Sequence, residues 1–320
     1  MPSAIACRLE AISNEIVTLY KGGQSVNDLS VRYGVSDTPL KRLLRAKGVM
    51  RSRMESARQK CTKYEVNERF FETIDTLEKC WMLGWFYTDG YNSEKAGDVR
   101  ISLNDKDEEV LVKMSRLIGS TRPLQREPSY RRSTLIVTRR KMSEDLARVG
   151  CTQAKSFTIE YPHAVLDTRA KNCAFLRGVI EGDGCIHISR KPSRQGPYVG
   201  LTIASASPRF VEALGRIFEE YWGLTHYVER RAGRGIVSIR FRGCRDKMKA
   251  MLTEIYDQTS FGLYLDRKYT QYQEAIILLD QLLETHYQRR PVTRHPVAGV
   301  YLVPNPLIMT PDVPTHSSHG

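Results

Sequence analysis

The 320-residue sequence lacks any apolar run approaching the roughly 20 residues needed to span a bilayer, and its start lacks the hydrophobic core of a secretory leader. A membrane protein and an exported protein are both disfavoured, so a cytoplasmic location is expected. Cysteine is sparse: seven residues, at 7, 61, 80, 151, 173, 185 and 244, an odd number with no Cys-x-x-Cys pair. That argues against a disulfide scaffold and a zinc module and fits a reducing compartment, with Cys80 and Cys173 read as small core residues. Acidic residues are in deficit, 36 against 49 basic ones, for a net charge of +13. Such an excess favours a polyanionic partner, and without a membrane segment nucleic acid is the better candidate. What the chain does have is 41% hydrophobic residues, enough for about two ordinary domains with extensions.

Residues 12–47 predict three short helices, Ile12 to Tyr20, Val26 to Tyr33 and Ser36 to about Lys47. Ser25 and Ser36 are natural N-caps, and Gly34 supplies a tight turn. Leu29, Val35, Leu40, Leu43 and Leu44 form a small core, with Lys41, Arg42 and Arg45 pointing elsewhere. The segment SVNDLSVRYGVSDTPLKRLLRAKGV resembles the helix-turn-helix of resolvases and transposases. That resemblance implies a helix in the major groove, with Asp37, Thr38, Lys41, Arg42 and Arg45 as contacts. A protein-interaction module with a solvated basic face is the alternative.

The organisation expected is a helix-turn-helix module at 1–50, a basic linker at 51–75, one repeat at 76–165, a second at 166–287 and a Pro-rich tail at 288–320. Residues 51–63, RSRMESARQKCTK, are polar and basic enough to track phosphates. The tail has six prolines and no periodicity, and is expected to be disordered.

The repeat is the strongest feature. EKCWMLGWFYTDGYNS (78–93) is echoed by KNCAFLRGVIEGDGCIHIS (171–189), and Asp89 and Asp183 stand 94 residues apart. Cys80/Cys173, Gly84/Gly178 and Gly90/Gly184 match in the same alignment. Each copy continues with an alternating strand, a helix, two more strands and a shorter helix. An α+β fold follows, built of two pseudo-symmetric αββαββα units in the manner of a fused homodimer, acting as a monomer.

The glycines at 84 and 178 leave a bare face, so the two motif helices can approach backbone to backbone. Gly90 and Gly184 are placed at the C-caps. Asp89 and Asp183 then arrive side by side where the helix macrodipole is already negative, a placement that costs stability and points to function. Paired carboxylates with open positions suit a hard divalent cation such as Mg2+, with Mn2+ as a substitute. Asp-Gly as simple turn chemistry is the competing reading for a single copy.

MLGWFYTDG (82–90) and LRGVIEGDG (176–184) resemble the two signatures of the LAGLIDADG homing endonucleases. The second copy matches closely, while the first departs at Trp85, Phe86, Tyr87 and Thr88. The segments GCTQAKSFTIEYP and SFGLYLDRKYTQYQE are similar to the family's loop-to-final-helix stretches. The resemblance implies a site-specific, metal-dependent double-strand DNA endonuclease of the kind associated with intron mobility. Its metal ligands would be Asp89 and Asp183 with Gly90 and Gly184 beside them. A polar water-orienting residue would be Asn104, with Ser205 as its counterpart, and a basic residue assisting the scissile phosphate would be Lys155, with Lys268 in the second unit.

Alternation in the strands gives each sheet an apolar and a polar face, which together would form a DNA-binding β-saddle over a long pseudo-palindromic or asymmetric target. In IVSIRFR, Val237, Ile239 and Phe241 face inward while Ser238, Arg240 and Arg242 face out. Arg100, Ser102 and Asn104 share the outer face of one unit, as do His187, Ser189 and Lys191 in the other. Such side chains reach base edges in the major groove. Two readings keep the fold without cleavage: a DNA-binding regulator, which predicts loss of the acidic residues, and an RNA maturase.

Overall fold

The computed structural model describes residues 4–52, 55–56, 63–190, 196–230, 235–242, 244–257 and 262–289. The N-terminal region folds into α1 (Ala4–Ala11), α2 (Ser13–Lys21), α3 (Val26–Tyr33) and α4 (Asp37–Ala46). The sequence predicted three of these and missed α1, whose Leu9 joins Ile16, Tyr20, Leu29, Leu40 and Leu44 in a small separate core. Ser25 and Asp28 form a reciprocal capping box at α3, and Gly34 turns the chain at φ 62°. Ser36 occupies the cap position of α4 but its side chain accepts no helix hydrogen bond, unlike the expectation.

Both ends of the expected linker are docked. The Arg51 guanidinium lies 3.8 Å from the Tyr20 ring centroid and donates to the Gln24 carbonyl at 3.1 Å. At the other end, the Glu65 N–H donates to the Thr121 hydroxyl at 2.8 Å and the Thr121 N–H to the Glu65 carbonyl at 3.0 Å, and Phe70, Phe71 and Ile74 enter the main core. Residues 64–75 therefore belong to the first repeat unit, because their apolar side chains have a core to enter. Residues 53–54 and 57–62 lie outside the described residues, as does the expected tail apart from 288 and 289, which end the last helix.

The first unit runs α5 (Leu77–Thr88), β1 (Gly90–Ser93), β2 (Asp98–Asn104), α6 (Glu108–Leu117), β3 (Gln125–Glu127), β4 (Arg132–Thr138) and α7 (Arg140–Arg148). The second runs α8 (Arg169–Asp183), β5 (Gly184–Ser189), β6 (Tyr198–Ser205), α9 (Pro208–Trp222), β7 (Thr225–Arg230), β8 (Val237–Arg242) and α10 (Arg245–Asp257), followed by α11 (Asp266–Arg289). The α+β class and the αββαββα order stand as expected. Each unit holds a four-stranded antiparallel sheet, ordered β1-β2-β4-β3 and β5-β6-β8-β7. Helices α6 and α7 cover one face of the first sheet, and α9, α10 and α11 cover one face of the second.

Helices α5 and α8 cross at the centre. Residues Cys80 to Tyr87 and Asn172 to Glu181 are buried without interruption, the pattern of helices enclosed on every side. Thr76 and Thr168 cap their starts, accepting from Lys79 and Lys171. At the crossing, a Cβ on Gly84 would sit 2.9 Å from the Gly178 Cα and against the Phe175 carbonyl, so only glycine permits this approach.

The chain also crosses between units on both sides. After α7, Ser207 donates to the Ile159 carbonyl at 2.6 Å, and Arg209 pairs with Glu160. After α10, Arg267 grips Asp107 of the first unit in a two-pronged pair at 2.7 and 2.9 Å, and Lys113 holds Asp266 at 2.7 Å. Such reciprocal crossing is what a fused dimer requires.

Candidate active site at the paired helix ends

Asp89 is the C-cap of α5 and Asp183 the last residue of α8, each placed where the backbone carbonyls already make the helix end negative. They are brought together by the glycine crossing. The Asp89 carboxylate lies against Gly182 of the opposite helix, 2.8 Å from where a Cβ would be. Both aspartates have solvent-exposed tips, but protein crowds their inner sides and strips hydration there. That desolvation, followed by the negative charge of Asp89, pushes Asp183 up to about 7 against the pull of Lys155. Asp89 is raised too, desolvation leading, with the Thr88 hydrogen bond and Lys155 opposing it.

Two buried lysines stand behind the pair in matching roles. Lys155 Nζ donates to the Gly90 carbonyl at 2.6 Å, and Lys268 Nζ donates to the Gly184 carbonyl. Burial lowers both amines from their ordinary range. For Lys155 the Cys151 thiol, Asp183 and Asp89 oppose the effect, while for Lys268 the Arg267 charge adds to it.

Gly184 is the C-cap of α8, as expected, whereas the C-cap of α5 is Asp89 and not Gly90. Neither adopts a positive φ, and Gly90 opens β1 instead of capping α5. Space is the reason for glycine: a Cβ at 90 would lie 2.6 Å from the Phe86 Cα, and one at 184 would lie 2.6 Å from the Ile180 Cα. Their carbonyls, expected as metal ligands, are the acceptors of the two lysines.

Asn104 ends β2 on the side from which α5 enters β1: Gly90 pairs with Ile101 and Tyr91 with Arg100, so β2 runs on past Ile101 toward the Asp89 end. Asn104 is exposed and caps the following 3-10 turn, accepting from the Lys106 N–H at 3.3 Å. Ser205 plays the same local part, accepting from the Ser207 N–H at 3.2 Å.

The uncovered sheet faces carry most of the expected contact residues. Arg100 is exposed but pairs with Asp98 at 2.6 Å, and Ser102 bonds Thr134 at 2.9 Å. On the second sheet His187 bonds Thr202 at 2.9 Å, and Arg240 reaches Glu229 at 2.6 Å and Tyr227 at 3.2 Å. His187, Thr202, Tyr227 and Arg240 line one depression together with Tyr198 and Gly200. Desolvation, with Arg240 and Lys268 nearby, lowers His187 and favours its neutral form. Ser189 is half-buried at the end of β5. Arg242 lies on β8 but its side chain is outside the described residues, as is the whole of Lys191. On α4, Thr38, Arg42 and Arg45 are exposed, whereas Lys41 and Asp37 pair with each other at 2.9 Å.

Sequence reasoning missed the polar interior of the helix crossing. Glu181 is fully buried and accepts from Trp81 Nε1 at 2.8 Å and Trp85 Nε1 at 3.3 Å. Its other oxygen is 3.5 Å from the buried Arg177, one turn earlier on α8. Desolvation pushes Glu181 up to about 7 despite Arg177. The sequence signal was present: two charged residues four apart inside an otherwise apolar helix, facing two tryptophans four apart in the other.

No family model and no curated protein matches the chain. It is similar to LAGLIDADG homing endonucleases of known structure. One is I-SmaMI bound to cleaved DNA, at 13% identity and a TM-score of 0.45 over 66% of this chain and 91% of that one. A second I-SmaMI structure, with uncleaved target and calcium ions, aligns at 13% identity and a TM-score of 0.44 over 65% and 92%. I-LtrWI bound to target DNA aligns at 11% identity and a TM-score of 0.43 over 69% and 93%. Among the described residues no helix is long and apolar enough to cross a membrane.

Proposed function

We propose that the chain is a metal-dependent endonuclease that cuts duplex DNA at a specific site. The observation that carries this reading is the Asp89–Asp183 pair, two carboxylates held together by a backbone-to-backbone helix crossing at the junction of two open sheet faces. Nothing about folding asks for like charges at two helix C-termini, and their mutual cost suggests a cation to relieve it.

The donor set fits such an ion. Asp89 and Asp183 offer hard oxygens with exposed tips, although among the described residues no cluster of three or more acidic, His or Cys side chains surrounds them. The remaining positions would fall to water and phosphate oxygens, as a phosphodiester-cleaving site needs. When bound, the metal supplies a water of lowered pKa and charge neutralisation at the phosphate. Lys155 and Lys268 hold the Gly90 and Gly184 carbonyls, and Lys155 lies within electrostatic reach of both carboxylates, where a scissile phosphate would be met.

Arg100, Ser102, His187, Ser189 and Arg240 would meet base edges and phosphates along the two sheets. Arg42 and Arg45 of α4 would add a second grip on the duplex. The chain between Arg51 and Tyr64 reaches at most about 45 Å at ~3.4 Å per residue. Because Glu65 and Asn67 dock on Thr121 and Ile118 of the first unit, that grip would fall on the flank beyond the first unit's half-site.

The test incubates the purified chain with a plasmid carrying the intron-free insertion locus of its own gene, in magnesium, calcium or EDTA. Cutting in magnesium that is lost in EDTA and in Asp183→Asn supports the reading. Tight binding with no cutting in magnesium or manganese replaces it with a DNA-binding regulator.

A further inference from the structure

The open face of the second sheet has one bare spot. His187 pairs with Gly200 across β5 and β6, three residues out from the Gly184–Ile203 pair, about 10 Å at ~3.3 Å per residue. Gly200 belongs to the open face. Val199 and Leu201 on either side of it pack toward the core, so by alternation Tyr198 and Thr202 share its side. It forms the floor of a depression of about 60 Å³, walled by His187, Tyr198, Thr202, Tyr227 and Arg240.

Nothing within the protein asks for glycine at this floor. Its φ is not positive, and a Cβ would make only ordinary contacts, with the Phe241 carbonyl at 3.7 Å and the Tyr198 ring at 3.8 Å. Glycine inside a strand weakens it and often marks a place where a ligand comes close. The volume admits a group the size of a water molecule, roughly 30 Å³, or of a methyl, but not a whole base. The lining decides between the two. A trapped water needs two to four polar partners, and the polar side chains here already engage one another. His187 bonds Thr202 at 2.9 Å, while Arg240 bonds Tyr227 at 3.2 Å and pairs with Glu229 at 2.6 Å. What they leave to a guest is apolar surface on Tyr198 and Tyr227, two exposed rings on a face otherwise rich in polar groups.

In the major groove the apolar group that projects from a base edge is the 5-methyl of thymine. We propose that the depression is a thymine-reading pocket, which seats that methyl over Gly200 between Tyr198 and Tyr227. The assignment rests on the endonuclease reading, because it needs duplex DNA lying across the sheets. It also makes recognition asymmetric. Gly90 pairs with Ile101 as Gly184 pairs with Ile203, so the first sheet's counterpart of Gly200 is Asp98, held by Arg100 at 2.6 Å. A charged pair stands there in place of the bare floor.

The test measures binding of the full-length protein, in calcium, to its target duplex with each thymine replaced in turn by uracil. That exchange removes the methyl and nothing else. Wild type should lose about fourfold in affinity at one thymine in the half-site of the second unit, equivalent to about 0.8 kcal/mol for one buried methyl-sized group. Gly200→Ala places a methyl of its own in the pocket without crowding the protein. It should bind the thymine and uracil duplexes equally at that position and discriminate as wild type does at every other. Tight binding by wild type with no response to any uracil, or an unchanged preference in Gly200→Ala, overturns the pocket and leaves the endonuclease reading standing. Failure of wild type to bind the target at all overturns both.

Discussion

Gly84 and Gly178 meet so closely that a Cβ on Gly178 would lie 3.0 Å from the Gly84 Cα and press on the Trp81 carbonyl. The obstructing atoms are backbone, which has no rotamer to move into. Either Gly84→Ala or Gly178→Ala should therefore destabilise by about 3 kcal/mol, the upper end of the usual range for overpacking. Urea unfolding of each variant measures this, and a loss below about 1 kcal/mol would mean the helices slide apart easily.

Asp183 gives a pH signature without metal. Its folded-state value is raised from 3.8 to about 7, so the stability tied to its neutral form is present below about 4 and is lost as pH rises through 7. Asp183→Asn keeps that form at every pH. In EDTA the variant should melt higher than wild type at pH 8, by on the order of 1–2 °C given the solvent screening of an exposed carboxylate, and level with it near pH 4. A variant less stable than wild type at pH 8 would contradict the crowding of the two carboxylates.

The two lysines should matter to cleavage more than to binding. Lys155→Met and Lys268→Met are each expected to lower the single-turnover rate about 10²–10³-fold, as removal of one preorganised donor does elsewhere. DNA affinity measured in calcium should remain unchanged. Equal losses of rate and affinity would make them general phosphate contacts instead.

Much of this was legible because the repeat fixes geometry by itself. Matched glycines at 84 and 178 and matched aspartates at 89 and 183 specify a crossing and a carboxylate pair without any knowledge of the loops. The departures in the first motif were legible only as departures. In the fold, Trp85 donates to Glu181, Tyr87 donates to the Val149 carbonyl, and Thr88 packs against Gly182 where the second motif has no side chain. The partners of Tyr87 and Thr88 are far away in sequence, so no local pattern announces them. Asn104 shows a related limit: its place at the end of β2 was legible, but its hydrogen bond to the Lys106 N–H depends on the turn that follows.

The α1–α4 module should extend the footprint on one side only. Arg42→Ala/Arg45→Ala is expected to reduce the slope of log affinity against log salt by about 2, one per lost phosphate contact. Hydroxyl-radical footprinting should show protection withdrawn from a single flank, beyond the half-site of the first unit. Symmetric loss would remove the tether from the account.

The shared site itself is tested most directly by supercoiled plasmid bearing the target, in magnesium, with wild type, Asp89→Asn and Asp183→Asn compared at equal DNA occupancy. Two carboxylates serving one centre require that wild type linearise the plasmid while neither single variant yields linear product. Linear product from either variant at the wild-type rate would contradict the shared site.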